Sequence, residues 1–179
     1  TARKLLETDP GNIQNANWFA EKAKASGDFS AAEAALLQVA ELNPANPEAW
    51  INLAEFFIRR EDGSRAREAL DRVLLIPETG ARCLRKVARA YYEIEEVTSA
   101  LLCLERALLS ETEKTPELYI EVAAANMAAG NLEIALQGLR QAEDIYPDDY
   151  RFQVIAGDIQ GFTGHSTMRS EEHTSELQS

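Results

Sequence analysis

The densest group of side chains able to do chemistry is cationic. Arg82, Arg85, Lys86 and Arg89 follow one another at intervals of 3, 1 and 3 residues. On an α-helix that spacing gathers them on one face, opposite Leu84, Val87, Ala88 and Tyr91. Such a face suits carboxylates, which arginine grips through two parallel hydrogen bonds and lysine as a point charge. Other reactive types are sparse. His165 and His173 are the two histidines, and Cys83 and Cys103 the two cysteines. There is no CxxC, no HExxH, no GxSxG, no phosphate-cradling glycine loop and no plausible cysteine–histidine pair. The sequence therefore reads as a chain without catalytic residues, metal ligands or cofactor. Cys83 and Cys103 are expected to be buried or half-buried thiols acting as small hydrophobes. Glu95-Glu96 and Asp148-Asp149 read as solvated turn residues with nothing apolar to shift their titration.

Composition narrows the classes further. Among 179 residues, 30 are acidic and 18 basic, for a formal charge of −12. Nucleic acid and anionic membrane surfaces repel such a polyanion, so neither is expected as a partner. No apolar run approaches the ~20 residues of a spanning helix. With 45% hydrophobic residues the chain has material for a sizeable core, in keeping with one domain.

A repeat must position the cationic face. Ala20, Ala54, Ala88 and Ala123 stand 34, 34 and 35 residues apart. Three more columns move with them: Ala32, Ala66, Ala100 and Ala135; Leu36, Leu70, Leu104 and Leu139; Val39, Val73, Ala107 and Ala142. The units run over 13–46, 47–80, 81–114 and 116–149. Each reads as two helices. In the second unit Trp50, Leu53, Ala54 and Phe57 share one helical face. After a turn at Glu61-Asp62-Gly63-Ser64, Ala66, Leu70, Val73 and Leu74 share another. Turns also fall at Ser26-Gly27-Asp28 and Gly130-Asn131, and Pro44, Pro77 and Pro147 stop the second helices. A lone two-helix unit cannot bury its apolar face, so the units are expected to stack, with alanines where helices approach closest.

The pattern resembles the tetratricopeptide repeat family over residues 1–164. Repeat two matches it with Trp50, Leu53-Ala54, Phe57, Ala66, Leu70 and Val73. Repeat four matches with Tyr119, Val122-Ala123, Gly130, Ala135, Leu139, Ala142 and Pro147. Repeat one departs, with Ala16 where the family has a large aromatic and Trp18 two places later. Repeat three has Glu95 at the turn glycine and Thr112 at the proline. The resemblance implies an all-α, right-handed α-α superhelix whose first helices line a concave groove.

On that implication Arg82, Arg85, Lys86 and Arg89 point into the groove, and Asn52 adds an amide from the preceding repeat. Asn52, Arg82 and Lys86 match the last three positions of the carboxylate clamp by which some family members hold acidic peptides. Asn17 and Glu21 stand at the first two, and Glu21 is expected to repel such a ligand. The competing expectation is that Glu48 and Glu55 on the neighbouring helix compensate the cations.

The ends carry expectations of their own. Residues 1–12 read as the close of a truncated repeat, and 150–164 as the first helix of another. Residues 169–179 resemble a translated sequencing-library adapter, so 165–179 is expected to be non-native or disordered. With Thr1 at its start, the chain reads as a bacterial fragment of a longer protein. The expected function is a protein-interaction scaffold or adaptor, not an enzyme, that binds a protein or peptide segment, with an acidic ligand favoured by the cationic face. The alternative is the substrate-presenting arm of a larger glycosyl- or sulfotransferase. The expected location is the cytoplasm, with the periplasm as alternative. Exposed end repeats could also support self-association, and the sequence leaves the oligomeric state open.

Overall fold

The computed structural model describes residues 2–109 and 114–161, within two compact units, Thr1–Ser110 and Glu111–Ser179. Among the described residues every regular element is an α-helix. In the first unit these are α1 (Ala2–Thr8), α2 (Ile13–Ala25), α3 (Phe29–Leu42), α4 (Pro47–Ile58), α5 (Gly63–Leu74), α6 (Ala81–Glu93) and α7 (Val97–Leu108). The second unit has α8 (Pro116–Ala128), α9 (Leu132–Ile145) and a helix over residues 151–161. No described helix is long and apolar enough to cross a membrane.

Local chemistry sets the helix starts. Asn12, Asp28, Asn46, Asp62 and Thr115 each accept a backbone N–H of the turn that follows, satisfying a donor the helix itself cannot pair. Pro47 and Pro116 occupy first-turn positions, where the missing N–H costs nothing. Gly63, expected in a turn, is the first residue of α5 because Asp62 caps it.

The reversals within the hairpins share one backbone device. Gly27, Glu61, Glu95 and Gly130, one per repeat, all have positive φ, at 81°, 58°, 63° and 80°. Beyond each, a backbone N–H reaches back five residues: Asp28 to Ala23, Asp62 to Phe57, Glu96 to Tyr91 and Asn131 to Asn126, at 2.8–3.0 Å. This is the Schellman closure, which needs a left-handed residue to end the helix. Glu95, in the place of the turn glycine, adopts that conformation all the same, as does Glu61.

α2 packs on α3, α4 on α5, α6 on α7 and α8 on α9. All four columns of the repeat are buried, from Ala20 through Ala142, so the small side chains lie where paired helices meet. In the first unit α3–α4, α4–α6 and α5–α6 contacts join successive hairpins. Polar ties reinforce them. Arg106 on α7 donates to the carbonyls of Leu74, Ile76 and Pro77 at 2.8, 2.5 and 2.9 Å, closing the end of α5. The buried Tyr91 hydroxyl donates to Asp71 at 2.6 Å, and burial followed by that carboxylate raises its pKa well above the ordinary phenol value. In the second unit Tyr146 bridges Tyr119 and Phe152, with ring centroids 6.2 and 6.4 Å apart.

Two stability predictions follow from these contacts. A left-handed non-glycine residue costs about 1–2 kcal/mol, against about 0.5–1 kcal/mol for glycine's greater unfolded freedom. Glu61→Gly and Glu95→Gly should therefore each stabilise the chain by roughly 0.5 kcal/mol or more in urea unfolding. Gly27→Ala and Gly130→Ala should destabilise it by about 1 kcal/mol through backbone strain alone, since a Cβ there meets open space. Arg106→Ala should cost about 1–3 kcal/mol by stranding the carbonyls of Leu74, Ile76 and Pro77, and Arg106→Lys should recover only part because it lacks the fork.

Candidate functional site

Three first helices of the first unit, α2, α4 and α6, present polar stripes from successive repeats. On α4 the stripe is Glu48, Asn52, Glu55 and Arg59, one helical turn after another. Asn17, Glu21 and Lys24 on α2 face it across a cavity of about 170 Å³. Asn52 sits at the edge of this space with its Nδ2 buried and without a hydrogen-bond partner. A buried amide donor without an acceptor costs about 1–3 kcal/mol.

The carboxylates around it are not free. Glu21 pairs with Lys24 and lies 3.7 Å from Arg59, which also meets Glu55 at 3.3 Å. The Lys24 hydrogen bond, then the charges of Lys24 and Arg59, hold the Glu21 carboxyl below its ordinary pKa. Glu21, expected to repel an acidic ligand, carries its negative charge against two cations.

The α6 cations divide. Lys86 Nζ holds both carboxylate oxygens of Glu48, at 2.9 and 3.1 Å. Arg82 and Arg89 are exposed and Arg85 is half-buried, and each of the three is engaged in interactions of its own. Compensation from α4 therefore comes from Glu48, while Glu55 turns to Arg59 within its own helix and its cap. The structure places Asn52 and Lys86 on adjoining helices of one unit. The missing acceptor at Asn52 is the feature that sequence reasoning does not reach, because it depends on what surrounds the amide rather than on its position.

Other candidates separate from this site. Cys103 is buried and Cys83 half-buried, and neither is in a disulfide. Burial pushes the Cys103 thiol up to about 12, with Arg106 pulling weakly the other way. Among the described residues no group of three or more histidine, cysteine, aspartate or glutamate side chains could hold a metal ion. His165, His173, Thr112, the adapter-like 169–179 and the end of the segment 150–164 lie outside the described residues.

Comparison with known proteins meets this geometry. A tetratricopeptide-repeat family model matches residues 23–88. Solved structures share the arrangement of hairpins. A crystal structure of MamA aligns at 20% identity and a TM-score of 0.58, over 88% of this chain and 96% of that one. Residues 23–88 carry the tetratricopeptide-repeat pattern, and the fold is that of these solved structures.

Two more solved structures extend the likeness. YrrB, described as a TPR protein with an unusual peptide-binding site, aligns at 17% identity and a TM-score of 0.60, over 92% of this chain and 84% of that one. MamA residues 41 to end from Desulfovibrio magneticus RS-1 aligns at 16% identity and a TM-score of 0.59, over 95% and 94%. At these identities the likeness is one of fold. No curated protein sequence matches the chain.

The buried thiol makes a pH prediction. The Cys103 pKa is raised by folding, so its stabilising contribution is complete below the ordinary thiol value and declines as pH rises from about 9 towards about 12. Tyr91, also raised, loses stability in the same direction. Urea midpoints should fall over this range, and Cys103→Ala should flatten the fall without abolishing the Tyr91 part.

Proposed function

We propose that the chain is a protein-interaction scaffold that holds an extended peptide segment of a partner against α2, α4 and α6. The observation that carries this reading is the buried, unpartnered Nδ2 of Asn52 at the edge of the α2–α4 cavity. When the Asn52 side chain turns into the cavity, a peptide carbonyl supplies the acceptor that the protein lacks, and an extended backbone presents one at every residue. An amide donor with an adjoining cationic face favours a segment with carboxylates. Lys86 reaches those carboxylates by exchanging Glu48, an exposed pair worth about 0–1 kcal/mol that a ligand can replace at little cost. Arg82, Arg85 and Arg89 stand on the same helix, each already engaged in an interaction that a ligand carboxylate would exchange, as it would Glu48. The scaffold reading also agrees with a fold in which rigid hairpins preform the surface, so that ordering costs fall on the peptide alone. No contact among the described residues favours the substrate-presenting arm of a transferase.

The test uses a short alanine–glutamate peptide with a free C-terminal carboxylate, titrated calorimetrically against its alanine–lysine counterpart. Asn52→Leu should raise unfolding stability by about 1 kcal/mol by removing the orphaned donor while weakening peptide binding roughly tenfold. Arg82→Glu with Lys86→Glu should abolish the preference for the acidic peptide, and Glu48→Gln should strengthen its binding by freeing Lys86. Unchanged affinity in the charge-reversed variant removes the carboxylate anchor. Unchanged affinity in Asn52→Leu removes the amide contact.

A further inference from the structure

The first unit carries a second groove, on the side of the hairpins away from the α2–α4–α6 stripes. α3 and α5 lie side by side over α4 and leave a cavity of about 480 Å³ floored by Trp50, Leu53 and Phe57. The corresponding gap between α5 and α7 is spanned by Arg67–Glu96 at 2.8 Å and the Arg106 contacts, and Asp71 ties α5 to Tyr91 of α6. Across α3 and α5, among the described residues, the polar tie is Arg65–Glu33 at 2.6 Å, at one end of the groove. The rest stays open.

Its walls have a definite chemistry. Leu37 on α3 is 39% exposed, and Leu75, which caps α5, is 74% exposed. Four acids line the groove against two arginines. One of those arginines, Arg65, is held by Asp62 and Glu33. The other, Arg72, lies 5.8 Å above the Trp50 ring. Glu41, one turn beyond Leu37, and Glu68, two turns before Leu75, make no hydrogen bond or ion pair with the described residues. Exposed leucines alternating with unpaired carboxylates over an aromatic floor fit one kind of occupant.

We infer that this groove docks a cationic amphipathic helix of another protein, with its apolar side between Leu37 and Leu75 and its lysines or arginines against Glu41 and Glu68. Charge decides among the occupants. A second copy of this chain brings a formal charge of −12 to an acidic groove, and an anionic membrane brings the same sign, so both are repelled. A helix with apolar residues every three to four positions and a basic flank meets both sets of side chains at once.

The experiment measures fluorescence anisotropy of a labelled fourteen-residue leucine–lysine amphipathic helix in physiological salt. Four variants of the full chain are compared. Leu75→Asp is decisive because it makes the groove more acidic while removing an apolar contact from a side chain that is already mostly exposed. Docking as inferred requires at least fivefold weaker binding, whereas attraction by charge alone gives equal or tighter binding and overturns the inference. Glu41→Lys with Glu68→Lys should weaken binding at least tenfold. Glu133→Lys with Asp144→Lys, the same charge change on exposed α9, should leave it within twofold, and an equal loss there overturns the inference. Asn52→Leu should leave it unchanged, so failure of the alanine–glutamate peptide to bind and failure of this helix to bind are separate results. A leucine–glutamate helix that binds as tightly also overturns the assignment.

Discussion

Two short helices folded back on each other cannot cover their own apolar stripes, so each hairpin needs a neighbour, and the hairpin itself must be thin enough to stack. The buried alanine columns meet the second requirement. At Ala20, Ala54 and Ala88 in the first helices, and Ala32, Ala66 and Ala100 in the second, a larger side chain would separate the helix axes. The reversal meets the first. A Schellman closure with a left-handed residue turns the chain within a few residues, which keeps the second helix beside the first rather than across it. In the first unit the polar stripes of α2, α4 and α6 then fall on one side, as a consequence of the stacking.

This constraint explains which parts of the chain are legible in its sequence. The alanine and leucine columns recur at one spacing because every hairpin solves the same packing problem, and the helix boundaries follow from asparagine, aspartate and proline at the caps. Glu61 and Glu95 show where composition misleads. The fold demands the left-handed reversal at every repeat, and packing on both sides outweighs the strain of a non-glycine residue there. The site is less legible than the fold. Spacing places Lys86 and Asn52 on their faces, but Glu48 rather than Glu55 reaches Lys86 because Arg59, four residues along its own helix, competes for Glu55. The lone amide of Asn52 depends on three helices together, and no periodicity encodes it.

The interfaces between successive second helices of the first unit differ because positions outside the repeated columns change from one repeat to the next. Leu37 and Asp71 hold equivalent places in successive repeats. Asp71 accepts the Tyr91 hydroxyl and draws α6 against α5, whereas Leu37 has no such partner and leaves its side chain at a groove rim. Arg106 and Arg72 are likewise equivalent. Arg106 reaches back to close the end of α5, while Arg72 lies over Trp50 within its own repeat. One interface is therefore tied by polar contacts and the next is open, although the same fold produced both.

Asn52 and Lys86 differ in what they cost the protein before any ligand arrives. Lys86 is satisfied, and its pair with Glu48 is exposed enough to be exchanged almost without penalty. Asn52 is not satisfied, and an apolar residue of similar size there leaves no donor stranded. An amide at this place lowers the stability of the free chain and returns the loss only when an acceptor enters. On the proposed reading the energetics of the pair separate two parts of recognition: Asn52 favours any segment that offers a carbonyl, and the cations of α6 discriminate among such segments by charge. Because the first is set by burial and the second by exposed groups, salt should act on the second far more than on the first.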